Sequence, residues 1–324
     1  MSGDFEQNNK GRSLKDLRII FMGTPEFAVA SLAKLVEAGC NIVAVVTAPD
    51  KPAGRGMQLQ QSAVKKYATE KELTVLQPEK LKSPEFIAAL RSLNADVQIV
   101  VAFRMLPEIV WNMPPMGTIN VHGSLLPQYR GAAPINWAII NGEQFTGVTT
   151  FRLKHEIDTG DILLQEKIEI GENETAGELH DKMKEVGADL LLKTIRGIAA
   201  NDLTQKAQLQ SSNIQPPTLH HAPKIFTETC AINWTKTSAE IFNLIRGLSP
   251  YPAAFTSLEN KKLKIYRAEK TTGKINTEPR QFETDGKTYL RVACSDGFIN
   301  ITELQMEGKK KMDIKDFLRG YRFS

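Results

Sequence analysis

Apolar runs of strand length alternate with helical repeats over the first two hundred residues of the chain. Residues 17–22 and 41–47 are nearly continuous apolar runs, whereas the apolar positions of 27–38 recur at helical spacing and stop at Gly39. The order strand, helix, strand is typical of a parallel sheet with right-handed crossovers. The pattern therefore predicts an α/β domain that begins near Leu17.

The same alternation continues to residue 199. Apolar segments predict further strands at 73–76, 95–103, 117–122, 147–153 and 162–170, and helical repeats predict helices at 84–93, 132–141 and 175–199. In the turn before the first helix, Thr24 is expected at the N-cap and Pro25 at the first helical position. Thr175 and Glu178 have the spacing of a capping box.

The composition changes after residue 204. Residues 205–223 are rich in Gln, Ser, Asn and Pro, which predicts a linker. Beyond it, a helix at 239–248 precedes short β-rich segments with frequent turn signals, which are typical of a small barrel or sandwich. We therefore expect a disordered tail at 1–16, a first domain at 17–204, the linker at 205–223 and a second domain at 224–324.

Length and cysteine content add a few constraints. The chain has 324 residues, enough for two domains, and its three cysteines are too far apart for a disulfide framework or a metal site. The N-terminus is polar, and no run of about 18 apolar residues occurs. We therefore expect no signal peptide, no membrane span and a cytoplasmic location.

Charge is distributed unevenly along the chain. From Lys206 to the end, 19 Lys and Arg stand against 12 Asp and Glu, although the formal net charge of the whole chain is only +4. A basic C-terminal third indicates a polyanionic partner, and a lysine-rich solvated surface is the alternative.

The densest group of reactive side chains lies between Asn120 and Asp161. Asn120 and His122 are two residues apart on a predicted strand, so both side chains face the same way near its carboxyl end, where open α/β sheets bind ligands. Acyl transfer to an amine needs donors for an oxyanion, which an amide and an imidazole supply. A carboxylate such as Asp158 can orient the imidazole and relay protons. No serine or cysteine nucleophile is required, because the amine attacks directly.

The same residues have simpler explanations. Asn120 and His122 also fit a satisfied polar pair, and Asp158 fits an ordinary turn residue. Ser124 as a nucleophile lacks a Gly-x-Ser-x-Gly elbow, and a metal site of His122, Asp158 and Asp161 lacks supporting ligand spacing. The residues alone therefore indicate a polar site at the end of a parallel sheet.

Five segments around this site match a known signature: 120–122 (Asn-x-His), 124–127 (Ser-Leu-Leu-Pro), 129–131 (Tyr-Arg-Gly), 147–149 (Gly-Val-Thr) and 158–160 (Asp-Thr-Gly). Together they resemble the signature of the folate-dependent formyltransferases. The resemblance implies a doubly wound, Rossmann-like catalytic domain, with 10-formyltetrahydrofolate as formyl donor and no metal. It implies Asn120, His122 and Asp158 as the catalytic trio. It also places four residues on the folate site: Ser124, Leu125, Leu126 and Pro127.

Segments outside the signature resemble the family members that act on methionyl-tRNA. They are 19–27, 49–56, Asn233-Trp234 and 249–253. The resemblance implies initiator Met-tRNA as acceptor, a monomer, and a tRNA-binding second domain built as a small β-barrel of oligonucleotide-binding (OB) type. It places Lys51 and Arg55 on a loop that enters the acceptor end of the tRNA. Candidates for contacts with the tRNA backbone are Lys261, Lys262 and Lys264.

One segment departs from the family pattern. Residues 102–107 read Ala-Phe-Arg-Met-Leu-Pro, where members that act on methionyl-tRNA usually have Ala-Tyr-Gly. The segment is expected to flank the folate pocket, so Arg104 and Leu106 are candidate contacts.

Three other functions are compatible with parts of the pattern. A formyltransferase that acts on a sugar-nucleotide amine would share the trio but would not need a basic second domain. A 10-formyltetrahydrofolate hydrolase would leave the tRNA-like loop and the basic domain unexplained. A non-enzymatic RNA-binding protein on the same scaffold would leave the intact trio unexplained.

Overall fold

The computed structural model describes residues 11–53, 58–208, 219–273 and 276–323. The chain forms two compact units that interleave along the sequence. The first unit comprises Met1–Arg130, Gly147–Lys167 and Asp181–Leu219, and the second comprises Gly131–Thr146, Ile168–His180 and His220–Ser324. Arg55 lies outside the described residues, in the gap at 54–57.

The strands are, in chain order, β1 (Arg18–Gly23), β2 (Asn41–Val46), β3 (Lys51–Ala53), β4 (Gln58–Gln60), β5 (Val75–Leu76), β6 (Val97–Val101), β7 (Thr118–His122), β8 (Arg130–Gly131), β9 (Phe145–Arg152), β10 (Ile162–Glu169), β11 (His221–Ala222), β12 (Ala254–Leu258), β13 (Lys261–Thr272), β14 (Phe282–Thr284), β15 (Leu290–Ala293), β16 (Gly297–Met306) and β17 (Met312–Asp313). The helices are α1 (Glu26–Glu37), α2 (Ala63–Glu70), α3 (Pro84–Ser92), α4 (Glu108–Trp111), α5 (Pro134–Ile140), α6 (Ala176–Ala200), α7 (Ser238–Leu248) and α8 (Ile314–Gly320), with a 3₁₀ turn at Glu228–Cys230.

A seven-stranded sheet of order β10-β9-β7-β6-β1-β2-β5 organises the first unit. The pairs β1/β2, β1/β6, β2/β5 and β6/β7 are parallel, and β7/β9 is antiparallel. All five side chains of β6 are buried, as expected for a strand covered on both faces. The doubly wound, mostly parallel sheet predicted from the sequence is confirmed.

The strand order fixes where a ligand binds. The chain builds β1, β2 and β5 outward in one direction and then returns to add β6 and β7 on the other side of β1. Loops on opposite sides of such a switch point diverge and leave a crevice at the carboxyl ends of the strands. The loops after β6 and β7, which carry the candidate residues, therefore lie at the ligand-binding edge of the sheet.

The two predicted helix starts have different outcomes. For α1, Pro25 rather than Thr24 is the N-cap, and no side chain caps the helix. The Pro25 carbonyl accepts the first helical bond from Ala28 N, while the Thr24 carbonyl lies 3.4 Å from Val64 N of α2. At the start of α6, by contrast, Glu178 accepts bonds from the Thr175 backbone N–H and hydroxyl, both 2.8 Å, which confirms the capping-box pair.

Part of the segment expected as a disordered tail is held in the structure. Arg12 N donates to the Ala199 carbonyl at 2.7 Å, and the Arg12 guanidinium forms an ion pair with Asp96 at 2.7 Å. Arg12 is thus held by contacts distant in sequence, which a polar local pattern does not reveal. Residues 1–10 lie outside the described part of the chain.

The first residues of the expected linker are also bound to the first unit. Lys206 exchanges backbone hydrogen bonds of 2.8 and 2.9 Å with Ile162 at the start of β10. Because β10 is an edge strand, its backbone groups have a free side that an extended segment can pair with. Residues 206–208 therefore belong to the first unit, and 209–218 lie outside the described residues.

The second unit contains an antiparallel sheet of order β12-β13-β16-β15-β14, with β17 paired to β16. A register shift near Arg267, where β13 pairs with β16, adds local twist to these two long strands. The side chains of α7 that pack into the hydrophobic core of this curled half-barrel are Ile241, Phe242, Ile245 and Leu248. The small β-domain expected at the C-terminus is confirmed.

Among the described residues, no helix combines the length and the hydrophobicity that crossing a membrane requires.

The start of α7 provides a test of helix capping. Thr237 and Glu240 form a complete capping box. Bonds from the Thr237 backbone N–H and hydroxyl, followed by the Lys236 ammonium, lower the pKa of Glu240 to about 2. Thr237→Ala is expected to lower the free energy of unfolding by about 1 kcal/mol at pH 7, as measured by urea denaturation.

The pH dependence of this loss has a defined sign. A depressed carboxyl pKa stabilises the folded state above about pH 4.5, and this contribution disappears as the pH falls toward 2. The difference between wild type and Thr237→Ala should therefore shrink over that interval. Thr227→Ala is the matched control, because Thr227 caps the 3₁₀ turn without a side-chain bond; an equal loss there would contradict the capping account.

Candidate functional site

Asn120 and His122 lie at the carboxyl end of β7. In the sheet, Asn120 is aligned with Val100 on one side and Phe151 on the other, while His122 is aligned with Thr149. Residues two apart on a strand point to the same face, as the sequence predicts. Asn120 is half-buried and His122 is 6% exposed, so the amide and the imidazole share a largely desolvated edge of the sheet.

The imidazole of His122 is held from several directions. Its Nε2 lies 2.9 Å from the Tyr129 carbonyl oxygen, and its Nδ1 lies 3.8 Å from Asp158 Oδ2. Phe151 packs edge-on against the ring at a centroid distance of 6.5 Å. A carbonyl oxygen only accepts, so Nε2 carries a hydrogen in either charge state. Nε2 is therefore the donor to Tyr129, and Nδ1 is the nitrogen that faces the Asp158 carboxylate.

Asp158 reaches the imidazole from the loop between β9 and β10. Its backbone is left-handed, with φ of 54°, a conformation that costs a non-glycine residue of order 1 kcal/mol unless its surroundings hold it. A Cβ at Gly160 would overlap the Arg152 carbonyl, so the loop packs closely against the end of β9. Asp161 forms an ion pair with Lys154 at 2.7 Å. The structure thus brings the three predicted catalytic residues to one edge of the sheet.

Gln208 supports this loop and was missed by the sequence analysis, which assigned it to the linker. Its side-chain Nε2 donates to the carbonyl oxygens of Asp158 at 3.0 Å and Gly160 at 2.8 Å. Arg130 donates in turn to Gln208 Oε1 at 2.5 and 3.2 Å. A glutamine in a polar, proline-rich segment has no local signal that distinguishes it from a solvated linker residue.

Thr149 secures the loop after β7. Its hydroxyl donates to the Ser124 carbonyl at 2.6 Å and accepts from Leu126 N at 3.1 Å and from the Gln165 amide at 2.9 Å. A Cβ at Gly147 would overlap Leu125, so a glycine here lets the loop lie directly on β9. The Gly-Val-Thr segment of the signature therefore has a structural basis: it fixes the position of the loop.

The predicted folate-site residues 124–127 occupy this loop. Ser124 is fully buried, and its hydroxyl donates to the Gln128 carbonyl at 2.6 Å. This bond assigns Ser124 a role in closing the loop and leaves its oxygen unsuited to nucleophilic attack. Leu126 is buried, whereas Leu125 and Pro127 are partly exposed at the same edge.

Residues 102–107, the segment after β6 that differs from the family pattern, contact other parts of the first unit. The Arg104 guanidinium donates to the carbonyls of Pro78 and Glu79, and Leu106 packs into the hydrophobic core of the first unit. The bonds to Pro78 and Glu79 hold the segment at the sheet edge. That Arg104 and Leu106 contact the donor stays a prediction.

The candidate nucleic-acid residues that the structure describes belong to both units. Lys51 is exposed on the β3–β4 hairpin. On β13, Lys262 and Lys264 share one face, whereas Lys261 is on the other. The Lys262 ammonium lies 4.2 Å from the Phe255 ring centroid, and Lys264 Nζ lies 3.3 Å from the Pro252 carbonyl. Lys261 and Lys262 are exposed and Lys264 is half-buried, so the two exposed lysines are the better placed for a partner.

The metal alternative lacks a ligand set. Within the part of the chain that the structure describes, no group of three or more His, Cys, Asp or Glu side chains is arranged to hold a metal ion. The ion pair with Lys154 engages Asp161, the third ligand that this alternative needed.

Comparison with known proteins gives matching family models and relatives over most of the chain. A family model described as "Formyl transferase" matches residues 17–195, and "Formyl transferase, C-terminal domain" matches residues 224–322. A methionyl-tRNA formyltransferase of Phocaeicola vulgatus is 56% identical over 316 residues, which cover 96% of this chain and 97% of that protein. The methionyl-tRNA formyltransferase of Bacteroides fragilis is 50% identical over 318 residues, with the same coverage.

Solved structures support the fold. The sugar 3N-formyl transferase WlaRD, crystallised with dTDP and 5-N-formyl-THF, superimposes with a TM-score of 0.66 at 23% identity, covering 91% of this chain and 99% of its own. HypX from Aquifex aeolicus in complex with tetrahydrofolic acid gives a TM-score of 0.63 at 17% identity and covers 95% of this chain and 48% of its own. At these identities the similarity concerns the fold alone.

Thr149 allows a direct test of how the site loop is held. Thr149→Val preserves shape but leaves the buried Leu126 N–H and Ser124 carbonyl without their partner. We expect the free energy of unfolding to fall by about 1–3 kcal/mol, measured by chemical denaturation.

The matched control lies on the same strand. Thr146 is 3% exposed, and its hydroxyl has no hydrogen-bond partner among the described residues. Thr146→Val should therefore leave stability unchanged or raise it slightly, because no bond is lost. Equal losses in the two variants would show that the hydrogen bonds of the Thr149 hydroxyl do not account for the loss of stability.

Proposed function

The chain belongs to the formyl transferase family, and from that premise we propose that it transfers the formyl group of 10-formyltetrahydrofolate to the α-amino group of methionine on initiator tRNA. The observation that carries the proposal is that Asn120 and His122 share one face at the carboxyl end of β7, with the Asp158 carboxylate 3.8 Å from the buried imidazole. Methionyl-tRNA formyltransferases that are 50–56% identical over 96% of this chain support Met-tRNA as the acceptor.

The reaction balances without a protein nucleophile. The amine nitrogen forms a bond to the formyl carbon, the bond from that carbon to the folate nitrogen breaks, and a proton leaves the amine while another reaches the folate nitrogen. The site must therefore stabilise negative charge on the formyl oxygen and exchange protons.

The three residues divide these tasks by geometry. The Asn120 amide supplies N–H donors at the sheet edge for the formyl oxygen. His122 Nε2 is committed to the Tyr129 carbonyl, so Nδ1, which faces Asp158, exchanges the proton. Asp158 stabilises the protonated imidazole across 3.8 Å, a charge interaction strengthened by burial of both side chains.

A folate-bound formamide fits this set of groups. A carbonyl oxygen needs N–H donors, a leaving nitrogen needs a proton source, and the edge provides an amide, an imidazole and a carboxylate for these purposes. The donor, when bound, supplies an activated formyl group. Leu125 and Pro127, partly exposed at the same edge, provide apolar surface for its ring system.

The second unit and the β3–β4 hairpin are the proposed tRNA contacts. The basic excess of the last third suits a phosphate backbone. Lys51, Lys261 and Lys262 are exposed and available for such contacts, and Lys264 lies beside them on β13. We assign Arg55 to the acceptor end of the tRNA, a monomer as the acting species, and the cytoplasm as its location.

A panel of acceptors tests the proposed substrate. Purified protein and labelled 10-formyltetrahydrofolate are incubated with initiator Met-tRNA, with a dTDP-amino sugar, or with no acceptor. Label should appear on the methionyl nitrogen and not on the sugar, and formate release without acceptor should be negligible. Transfer to the sugar alone, or release of formate at a comparable rate, would support one of the alternatives instead.

A variant at Arg55 distinguishes binding of the tRNA from binding of the folate donor. Arg55→Ala is expected to raise KM for Met-tRNA about tenfold, equivalent to about 1.4 kcal/mol, while KM for the folate donor stays within twofold. Arg91→Ala, an exposed arginine on α3, serves as the control and should change neither value. An equal rise of both KM values in Arg55→Ala would show that Arg55 does not act specifically in tRNA binding.

A further inference from the structure

The amide of Gln208 joins two segments of the site that are far apart in sequence. It is 9% exposed and donates to two backbone carbonyls of the Asp158 loop, at 3.0 Å for Asp158 and 2.8 Å for Gly160. Its oxygen accepts from two nitrogens of Arg130, which follows the Tyr129 carbonyl bound by His122. Gln208 therefore connects the loop that carries the carboxylate to the loop that orients the imidazole.

The loop needs this support because of its backbone. Asp158 is held at φ of 54°, outside the region that non-glycine residues prefer. The turns between β9 and β10 contain no regular element at 153–161. A rotation of the Asp158 backbone would move its carboxylate relative to His122 Nδ1, and the 3.8 Å separation depends on that rotation.

We propose that Gln208 is a positioning residue that sets the distance between Asp158 and His122, and that Arg130 orients its amide. The inference rests on the proposed formyl transfer for its kinetic test only. Gln208 acts through the Asp158 backbone and is not itself assigned to the reacting atoms.

The chemistry of the contact explains the residue type. Two carbonyl acceptors require two N–H donors from one atom, and the guanidinium requires an acceptor beside them. A primary amide provides both. Glutamate would keep the acceptor for Arg130 but would place an oxygen against two carbonyl oxygens. Alanine would remove both contacts.

The test compares Gln208→Ala and Gln208→Glu, each in the wild-type chain and in Asp158→Asn, with Gln205→Ala as the control. Gln205 is an exposed glutamine three residues away. In the wild-type chain, both Gln208 variants should lower kcat about 10- to 100-fold, while KM for the donor and for Met-tRNA stays within twofold. Gln205→Ala should behave as wild type.

The double variants separate positioning from general structural support. If Gln208 acts through Asp158, then Gln208→Ala should lower kcat by less than twofold once Asp158 is Asn. A loss as large as in the wild-type chain would overturn the proposal. Gln208→Glu keeps an acceptor for Arg130 but loses both donors to the Asp158 loop, so it should lose kcat as Gln208→Ala does. An unchanged kcat in either Gln208 variant would also overturn it.

A structural readout keeps this test independent of the proposed reaction. In a crystal structure of Gln208→Ala, Asp158 should leave its left-handed conformation and its carboxylate should move away from His122. If Asp158 keeps both its backbone conformation and its distance to His122, the positioning role is wrong whatever the enzyme transfers. If the wild-type protein transfers no formyl group to Met-tRNA, the proposed function fails, and the loop geometry still decides the role of Gln208.

Discussion

The two nitrogens of the His122 imidazole have different partners, and the surrounding structure holds the ring so that each nitrogen keeps its own. The Tyr129 carbonyl oxygen lies 2.9 Å from Nε2, whereas Nδ1 faces the Asp158 carboxylate at 3.8 Å. The carbonyl and the carboxylate both come from loops, and loops move unless their polar groups are bound. Much of the hydrogen bonding at this edge of the sheet therefore holds backbone groups in place.

Two side chains hold the backbone of these loops. Thr149 bonds the backbone of the 124–127 loop from β9, and Gln208 bonds the backbone of the Asp158 loop. Neither side chain is part of the trio. The rigid sheet provides a fixed base, and buried polar contacts transmit that rigidity to the loops. This arrangement is compatible with a direct transfer between two bound substrates, which requires orientation more than covalent chemistry.

The sequence revealed the fold wherever a local pattern decided the outcome. Continuous apolar runs marked β1 and β6, and the spacing of Thr175 and Glu178 marked the start of α6. Asn120 and His122 were placed on one face by strand periodicity alone. Their meaning required the family resemblance, because an amide beside an imidazole is also a common structural pair.

The structural features that were not predicted from the sequence depend on partners distant along the chain. Arg12 is held by Asp96 and Ala199, and Gln208 is bound to carbonyls about fifty residues earlier. Local composition does not contain these partners, and it predicted a disordered tail for Arg12 and a linker for Gln208. At α1, the tertiary placement of Thr24 beside α2 outweighed its capping preference. The lysines of β13 were predicted as a group, but strand alternation divides them between two faces.

We propose that Asn120, His122 and Asp158 carry out the transfer step itself. Rapid-quench single-turnover kinetics with labelled 10-formyltetrahydrofolate and saturating Met-tRNA measures that step directly. We expect Asn120→Ala, His122→Ala and Asp158→Asn each to slow the appearance of formyl-methionyl-tRNA by roughly 100-fold or more, with donor affinity preserved. Transfer at the wild-type rate in any of the three variants would show that the altered side chain is not required for the transfer step.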